Sequence, residues 1–254
     1  MKLNKSNYYS PEANAEYFSV SQFKTFLDCE ARAMAELKGE YVQEPTKALL
    51  MGSYVDAYFS GELGEFCETH PEIFNKRTGE LKAEFRDCEK YIHAATNDLM
   101  FMAYMDGEKQ AILTGELFGV KWKIKADVLH KGRIVDFKLM RDLKPVYKDG
   151  EWKPFIDAWG YDYQAYVYQQ IVKQNVGKQL PFYFAVITKE EHPDKAIIEM
   201  PQWRINGAGA VIEHYTERFK AVKSGEVEPI RCGSCAYCKD TKVLKEITKY
   251  EELL

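Results

Sequence analysis

The chain has 254 residues, of which 46% are hydrophobic and 29% charged, as in an ordinary globular protein. Its apolar stretches are well short of the roughly 18 residues that a membrane-spanning helix needs. Residues 1–7 are polar and have no apolar secretory region, so we expect a cytoplasmic protein with reduced thiols. The net charge of −4 excludes a uniformly basic nucleic-acid binder, but it allows a local positive surface beside acidic metal ligands.

Hydrophobic periodicity and capping signals predict five helices and four strands. The helices are predicted at 19–37, Thr46–Phe59, Glu84–Tyr104, Asp157–Val176 and about 206–223. The strands are predicted at Val120–Val128, Ile134–Leu139, Phe182–Ile187 and Ala196–Met200, with residues 66–83 irregular. A few mostly antiparallel strands flanked by helices indicate a mixed α/β, α+β-like fold. We expect one domain over 1–228 and a cysteine-bearing tail over 229–254.

The most regular part of the sequence is a hairpin of two alternating strands. If Lys131 and Gly132 form its tight turn, Asp127 lies opposite Asp136, and Lys138 shares their face. Two facing carboxylates repel by up to about 1 kcal/mol, so the pair favours a cation between them. Oxygen ligands suit Mg²⁺ or Mn²⁺, which activate water and polarise phosphoryl groups. The alternative is a solvated polar face that neighbouring lysines balance.

This hairpin resembles the D…(D/E)-x-K signature of the PD-(D/E)XK nuclease superfamily, at Asp127, Asp136 and Lys138. The helix segment with Gly52 and Asp56 is similar to the G-x-x-x-H motif of the RecB-like branch, with Asp56 in place of the histidine. The resemblance implies a restriction-endonuclease-like core with a central mixed sheet flanked by helices. It also implies that Asp56, Asp127 and Asp136 bind Mg²⁺ or Mn²⁺. The alternative for Gly52 is that it permits close helix packing, and the alternative for Asp56 is that it is a carboxylate on the helix surface.

Two further segments extend the resemblance. Gln164 and Tyr168 match the Q-x-x-x-Y motif of the same branch, and their spacing puts both on one helix face. We therefore count them with the catalytic residues, although a tyrosine here also suits a core position. The run GVKWKIKAD at 119–127 is similar to phage exonuclease VIII (RecE-like) proteins. Order and spacing agree over about residues 15–240.

The resemblance implies a metal-dependent exonuclease that hydrolyses DNA phosphodiester bonds and resects duplex ends in phage-type recombination. A single-strand annealing protein and a ring-like homo-oligomer around DNA follow as implied partners, and a bacterial host cell as the location if a phage encodes the chain. Two alternatives are an iron–sulfur nuclease that trims single-stranded ends and a non-catalytic DNA-binding module. Phosphate contacts are predicted from the basic residues beside the hairpin carboxylates, for which simple solubility is the alternative. These residues are Lys121, Lys123, Lys125 and Arg141.

Four of the six cysteines form a separate pattern. Cys232, Cys235 and Cys238 are spaced C-x-x-C-x-x-C, and Cys29 lies far upstream. Reduced thiols in such a group favour a metal, and a triplet with a distant fourth cysteine is typical of a [4Fe–4S] cluster. The set resembles the cysteines of AddB nucleases and of iron–sulfur CRISPR adaptation nucleases, which implies a structural cluster that fastens the tail to the first helix. Zinc and unligated thiols are the alternatives.

Overall fold

The computed structural model describes residues 1–244, 247 and 249. Its α-helices are α1 (Pro11–Glu16), α2 (Val20–Asp28), α3 (Glu30–Leu37), α4 (Lys47–Ser60), α5 (Leu63–Thr69), α6 (Ala83–Thr96), α7 (Leu99–Tyr104), α8 (Phe155–Ala158), α9 (Tyr161–Val176), α10 (Gln202–Ser224) and α11 (Ala236–Asp240). Its strands are β1 (Glu108–Leu117), β2 (Val120–His130), β3 (Arg133–Met140), β4 (Val146–Lys148), β5 (Glu151–Lys153), β6 (Phe182–Thr188) and β7 (Lys195–Glu199). Within these residues, no helix has the length and apolar character to cross a membrane.

A five-stranded sheet in the order β1-β2-β3-β6-β7 forms the centre of the molecule. Neighbouring strands are antiparallel except β3 and β6, which are parallel. A parallel pair needs a crossover connection, and the segment from β4 to α9 provides it. Strands β4 and β5 pair with each other as a separate hairpin. The mixed α/β fold class predicted from the sequence is therefore confirmed.

Helices cover both faces of this sheet. On one face, α2, α9 and α10 pack against an apolar cluster that includes Trp122 and Phe184. On the other face, α4, α6 and α7 pack against a second cluster that includes Val135 and Ile187. Because α4 and α9 lie on opposite faces, a side chain from each reaches the same point only where the sheet opens.

The hairpin between β2 and β3 confirms the predicted turn but not the full register. Pairing at His130–Arg133, Leu129–Ile134 and Val128–Val135 agrees with a two-residue turn at Lys131–Gly132. The β2–β3 ladder then ends, so Asp127 and Asp136 are not a paired position. Instead the Phe137 backbone N–H donates to Asp127 Oδ2 at 2.8 Å. The two strands part at the acidic residues.

The predicted helix over 19–37 is wrong as one element, because Cys29 interrupts it. Cys29 has extended backbone angles of φ −167° and ψ 109° and lies between α2 and α3. Its Sγ accepts a hydrogen bond from the Arg32 N–H at 3.5 Å, and so caps α3. The break leaves Cys29 buried against Cys238 of the tail.

Other boundaries also differ from the predictions. Strand β1 is absent from the predictions, because it departs from strict alternation. Its residue Gln110 has a φ of +52°, and the consecutive residues Gln110 and Ala111 are both buried. The predicted helix Glu84–Tyr104 is divided before Asp98, whose carboxylate caps α7 through the Phe101 N–H. Gly160, with a φ of +59°, separates α8 from α9. Part of the segment predicted as irregular forms α5.

The tail packs back on α3 through a buried carboxylate. Glu30 receives two hydrogen bonds from Arg218 at 2.6 and 2.8 Å, and its Oε2 also accepts from the Ile230 N–H at 2.8 Å. The Ala31 N–H donates to the Ile230 carbonyl at 3.1 Å. The division into domains at residue 228 stays a prediction. The part of the predicted tail at 245–246, 248 and 250–254 lies outside the described residues.

Two glycines of α10 give a matched test of its packing against α9. A Cβ at Gly209 would lie 2.3 Å from the Tyr166 ring, whereas a Cβ at Gly207 would meet no atom within 4 Å. We expect Gly209→Ala to lower the free energy of unfolding by about 1–2 kcal/mol through overpacking. Gly207→Ala should raise it by up to about 1 kcal/mol through helix propensity. Urea unfolding measures both, and shifts of the same sign would contradict this packing.

Candidate active site

The point where β2 and β3 part opens into a cleft of about 1000 Å³. Residues of α2, α4, β2, β3, α9 and the N-terminal segment line it. The side chains that the sequence motifs single out all line this cleft, and we call them its floor: Asp56, Asp127, Asp136, Lys138, Gln164 and Tyr168. The structure therefore brings the predicted catalytic set into one cavity.

Asp136 is the most enclosed acidic group of the cleft, with 2% of its surface exposed. The side-chain amide of Gln164 donates to its Oδ1. The Lys138 ammonium lies in ion-pair contact with its Oδ2 and also donates to Gln164 Oε1 at 3.2 Å. Gln164 thus holds both Asp136 and Lys138 in place, using both ends of its amide.

Lys138 stays protonated in this environment. Burial acts to lower its pKa, but the negative charge of Asp136, with contributions from Tyr161 and Asp127, outweighs burial and raises the pKa. The ammonium also lies 4.7 Å from the centre of the Tyr161 ring, a favourable cation–π contact. A lysine held in this way can stabilise developing negative charge, but it is a poor acceptor of a proton.

Asp56 reaches the cleft from α4, where the histidine of the motif would lie. Its Oδ2 accepts a hydrogen bond from Gln110 Nε2 at 3.3 Å. Gln110 belongs to the unpredicted strand β1 and is held at a positive φ, which costs a non-glycine residue about 1–2 kcal/mol. No pattern in the sequence marks Gln110, because it continues the polar run at 106–109.

Burial and neighbouring carboxylates raise the proton affinity of Asp127 and of Asp56. Burial, followed by repulsion from Asp136 and Asp56, raises the pKa of Asp127 well above its usual range. Burial, followed by repulsion from Asp136, raises the pKa of Asp56 to about 6, while Lys125 and Lys138 oppose this shift. Negative charge is therefore crowded at the split in the sheet, and a cation would relieve it.

The chemistry of this site fits a hard divalent cation. Asp56, Asp127 and Asp136 supply carboxylate oxygens, the ligands that Mg²⁺ and Mn²⁺ prefer. Asp136 Oδ2 contacts the Lys138 ammonium outside hydrogen-bond geometry, and within the described chain this buried oxygen has no hydrogen-bond partner. The Gln110 Oε1 atom is buried without a partner in the same part of the structure. The carboxylate oxygens are not all within 4.8 Å of one another, unlike the four cysteine sulfurs.

Two motif residues act through their surroundings. The Tyr168 hydroxyl donates to the Lys125 carbonyl at 3.2 Å and so fixes β2 beside the acidic residues. Gly52 lies on the face of α4 that lines the cleft, and a Cβ there would meet no atom within 4 Å. The alternative that Gly52 serves close helix packing therefore has no support in this structure, since the space in front of it is open cleft.

The predicted DNA-contacting residues divide into two groups. Lys123, Lys125 and Arg141 are among the residues that line the cleft, whereas Lys121 lies outside its lining and pairs with Glu16 at 2.8 Å. Lys123 is 1% exposed, and its ammonium donates to the Tyr8 carbonyl and to Asn14 Oδ1 at 2.7 Å. The alternation of β2 predicted a shared basic face, but the N-terminal segment covers Lys123 and uses its charge.

Lys24, a residue of α2, also lines the cleft, although no motif in the sequence marks it. Its ammonium donates to the Trp159 carbonyl at 2.8 Å. Burial, followed by repulsion from Lys138, lowers its pKa to about 8. Lys24 therefore adds a second cation near Lys138, and its single position on an amphipathic helix gave no periodic signal.

The four cysteines predicted as a cluster meet at the junction of α3 and the tail. The sulfurs of Cys29, Cys232, Cys235 and Cys238 all lie within 4.8 Å of one another. The Cys29–Cys238 and Cys232–Cys238 sulfur separations are 3.6 and 3.9 Å. A hydrogen bond from the Cys235 backbone N–H, with help from Ser234, lowers the pKa of Cys232 to about 5, which favours the thiolate that binds metals. Burial raises the pKa of the neighbouring Cys235 to about 12, so the thiolate is favoured at Cys232 and not at Cys235. This group is able to hold a metal.

Comparison with known proteins agrees with this fold. Residues 19–241 match a family described as a PDDEXK-like domain of unknown function (DUF3799), and the chain belongs to this family. The chain is thus a member of the PD-(D/E)XK nuclease superfamily, as the motifs predicted. No match is found among curated proteins.

The chain is also similar to a protein of Eubacterium rectale whose crystal structure has been solved and to which an exonuclease activity is ascribed. The two sequences are 45% identical, and the match covers 100% of this chain and 98% of the other, with a TM-score of 0.96. Both comparisons support a nuclease.

The raised pKa of Asp56 predicts a pH-dependent cost to the metal-free protein. The unfolded carboxyl titrates at about pH 4, and the folded one at about 6. The folded state therefore keeps a proton that the unfolded chain releases, so stability falls as the pH rises between these values and stays lower above them. Near pH 7 we expect the free energy of unfolding of metal-free Asp56→Asn to exceed that of metal-free wild type by about 1–3 kcal/mol.

Urea unfolding of EDTA-treated protein at a series of pH values measures this difference. Asp87→Asn, at a partly exposed position on α6 outside the cleft lining, is the control and should follow wild type. If Asp56→Asn has the same pH profile as wild type, the carboxylates do not crowd as described.

Proposed function

We propose that this protein is a Mg²⁺- or Mn²⁺-dependent DNA exonuclease that resects duplex ends in phage-type recombination. The observation that carries the proposal is the hydrogen-bonded set of Asp136, Lys138 and Gln164, held together beside Asp56 and Asp127 at the floor of one cleft. Such a set costs stability, because it crowds buried charges. A catalytic requirement for them explains why the chain carries this cost.

Each polar group of the set has a distinct part in phosphodiester hydrolysis. A divalent ion bound by Asp56, Asp127 and Asp136 would activate water and polarise the phosphoryl group. Lys138, kept protonated by Asp136, stabilises the negative charge that develops on the phosphate oxygens. Gln164 orients Asp136 and Lys138, and so acts as a positioning residue.

DNA is the substrate that the cleft suits. Lys24, Lys125 and Arg141 line its walls and supply positive charge for phosphate contacts. The RecE-like run at 119–127 is the ground for the finer proposals: action on duplex ends, a single-strand annealing protein as partner and a homo-oligomer around DNA. We place the reaction in the cytoplasm, that of a bacterial host if a phage encodes the chain.

A non-catalytic DNA-binding module is the competing proposal from another class. The intact set of Asp127, Asp136, Lys138 and Gln164 argues against it, because binding DNA needs no buried carboxylates. The cysteine group favours a second enzymatic proposal, an iron–sulfur nuclease that trims single-stranded ends. End-labelled duplex and single-stranded DNA, compared in one assay, distinguish the two enzymes.

Removal of the Asp136 carboxylate tests the active-site proposal. We expect Asp136→Ala to lower Mg²⁺-dependent digestion of end-labelled DNA by at least about 100-fold, because a ligand and the partner of Lys138 are both lost. Asp87→Asn is the control and should retain full activity. Equal activity of Asp136→Ala and wild type would end the active-site proposal, and inactivity of both would favour the binding module.

We also propose that Cys29, Cys232, Cys235 and Cys238 hold a metal that fastens the tail to α3. The C-x-x-C-x-x-C pattern with a distant fourth cysteine favours a [4Fe–4S] cluster. The sulfur separations of 3.6 and 3.9 Å favour zinc instead, because a single tetrahedral zinc ion with 2.3 Å bonds spaces its sulfurs about 3.8 Å apart. A cluster binds each cysteine to a different iron, which spreads the sulfurs further.

Cys238→Ser tests the metal centre. We expect the variant to lose most of its bound metal and to expose the tail to limited proteolysis, while the nuclease core stays folded. Cys67→Ser changes a thiol outside the group and should behave as wild type. Anaerobic purification with metal analysis decides the identity: iron with a visible thiolate-to-iron band supports the cluster, and zinc without iron contradicts it. Equal metal content in both variants and wild type would remove the proposed centre.

A further inference from the structure

Beyond the acidic floor, the cleft carries aromatic side chains that hydrolysis does not require. From these we propose that the cleft takes the reacting strand as unpaired nucleotides, whose bases stack on Tyr9 and Trp159. This inference rests on the proposed DNA nuclease function and names the form of the substrate that reaches the acidic site.

Tyr9 belongs to the N-terminal segment and lines the cleft with 67% of its surface exposed. Its ring packs edge to face on Tyr8 at a centroid separation of 4.9 Å, and the Lys125 ammonium lies 5.1 Å from its centroid. Tyr8 is itself buried, and its carbonyl accepts from Lys123. The exposed Tyr9 ring thus packs on a buried residue, and the Lys125 ammonium lies beside it.

Trp159 lies between α8 and α9, lines the cleft and is 44% exposed. The Lys148 ammonium lies 5.2 Å from the centre of its ring and donates to the Ala158 carbonyl at 2.7 Å. Lys24 donates to the Trp159 carbonyl at 2.8 Å. Two lysines therefore fix this ring and place positive charge near it.

Single exposed apolar residues are common on protein surfaces and carry no meaning alone. Here two aromatic rings share one cavity with Leu49, which is 61% exposed, and with the acidic residues of the floor. Each ring offers a face for a base, and each has a lysine near it for a phosphate. This combination of stacking surfaces and a basic groove is how proteins bind single-stranded nucleic acid without reading its sequence.

A paired duplex keeps the faces of its bases inside its own stack, so the rings gain a partner only after the strand has left the duplex. An enzyme that resects duplex ends meets this condition when terminal base pairs open. The stacking energy then offsets part of the cost of opening them.

Binding measurements test the inference separately from hydrolysis. The full-length protein is mixed with labelled single-stranded DNA in Ca²⁺, and fluorescence anisotropy gives the Kd. We expect Tyr9→Ala and Trp159→Ala each to raise the Kd about 5- to 100-fold, and Tyr9→Phe and Trp159→Phe to remain within about twofold of wild type. Trp203→Ala is the control, because Trp203 is an exposed tryptophan of α10 outside the cleft lining.

A strand with abasic sites gives the decisive comparison. Wild type should bind it more weakly than the intact strand, and the alanine variants should lose little more, because the bases that stack are absent. Unchanged Kd values for both alanine variants, or equal losses on intact and abasic strands, would overturn the inference. A wild type that binds in this way but digests no DNA in Mg²⁺ or Mn²⁺ would instead refute the proposed function and leave the stacking surface in place.

Discussion

The crowding of three carboxylates at a split in the sheet is the constraint on which the site depends. Strands β2 and β3 pair tightly at their turn and part at Asp127 and Asp136, where the Asp127 carboxylate takes the place of a backbone acceptor for the Phe137 N–H. Because the sheet is open there, Asp56 from one face and Gln164 from the other reach the same point. A continuous ladder would have kept the two faces apart.

The surroundings compensate for this concentration of charge in part. Gln164 donates to one oxygen of Asp136, and Lys138 forms an ion pair with the other. Gln110 and the Phe137 N–H each donate to one oxygen of the other two carboxylates. Burial still raises the pKa of Asp127 and of Asp56, so the metal-free site holds protons that a cation would displace. The crowded carboxylates lower the stability of the folded chain, and the same carboxylates form a site suited to a positive ion.

Much of this was predictable from the sequence, because strict alternation, turn residues and motif spacing are local. They predicted the hairpin turn and the residues that meet at the cleft floor. Gln110 and Lys24 were not predictable in this way, since each depends on a backbone distortion or a distant neighbour. The burial of Lys123 was also not predictable. Strand alternation puts it on the same face as Lys125, but the N-terminal segment that covers it is remote in sequence. The break at Cys29 in the helix predicted over 19–37 was likewise not predictable, because the residues that pack against Cys29 belong to the distant tail.

The central claim is that Asp56, Asp127 and Asp136 bind a divalent cation. Crystals of the protein grown with Mn²⁺, measured for anomalous scattering, test it most directly. We predict an anomalous peak between the carboxylates of Asp127 and Asp136, within bonding distance of both, that disappears in Asp136→Ala. A fully occupied Mn²⁺ elsewhere on the protein, with these carboxylates unliganded, would contradict the account.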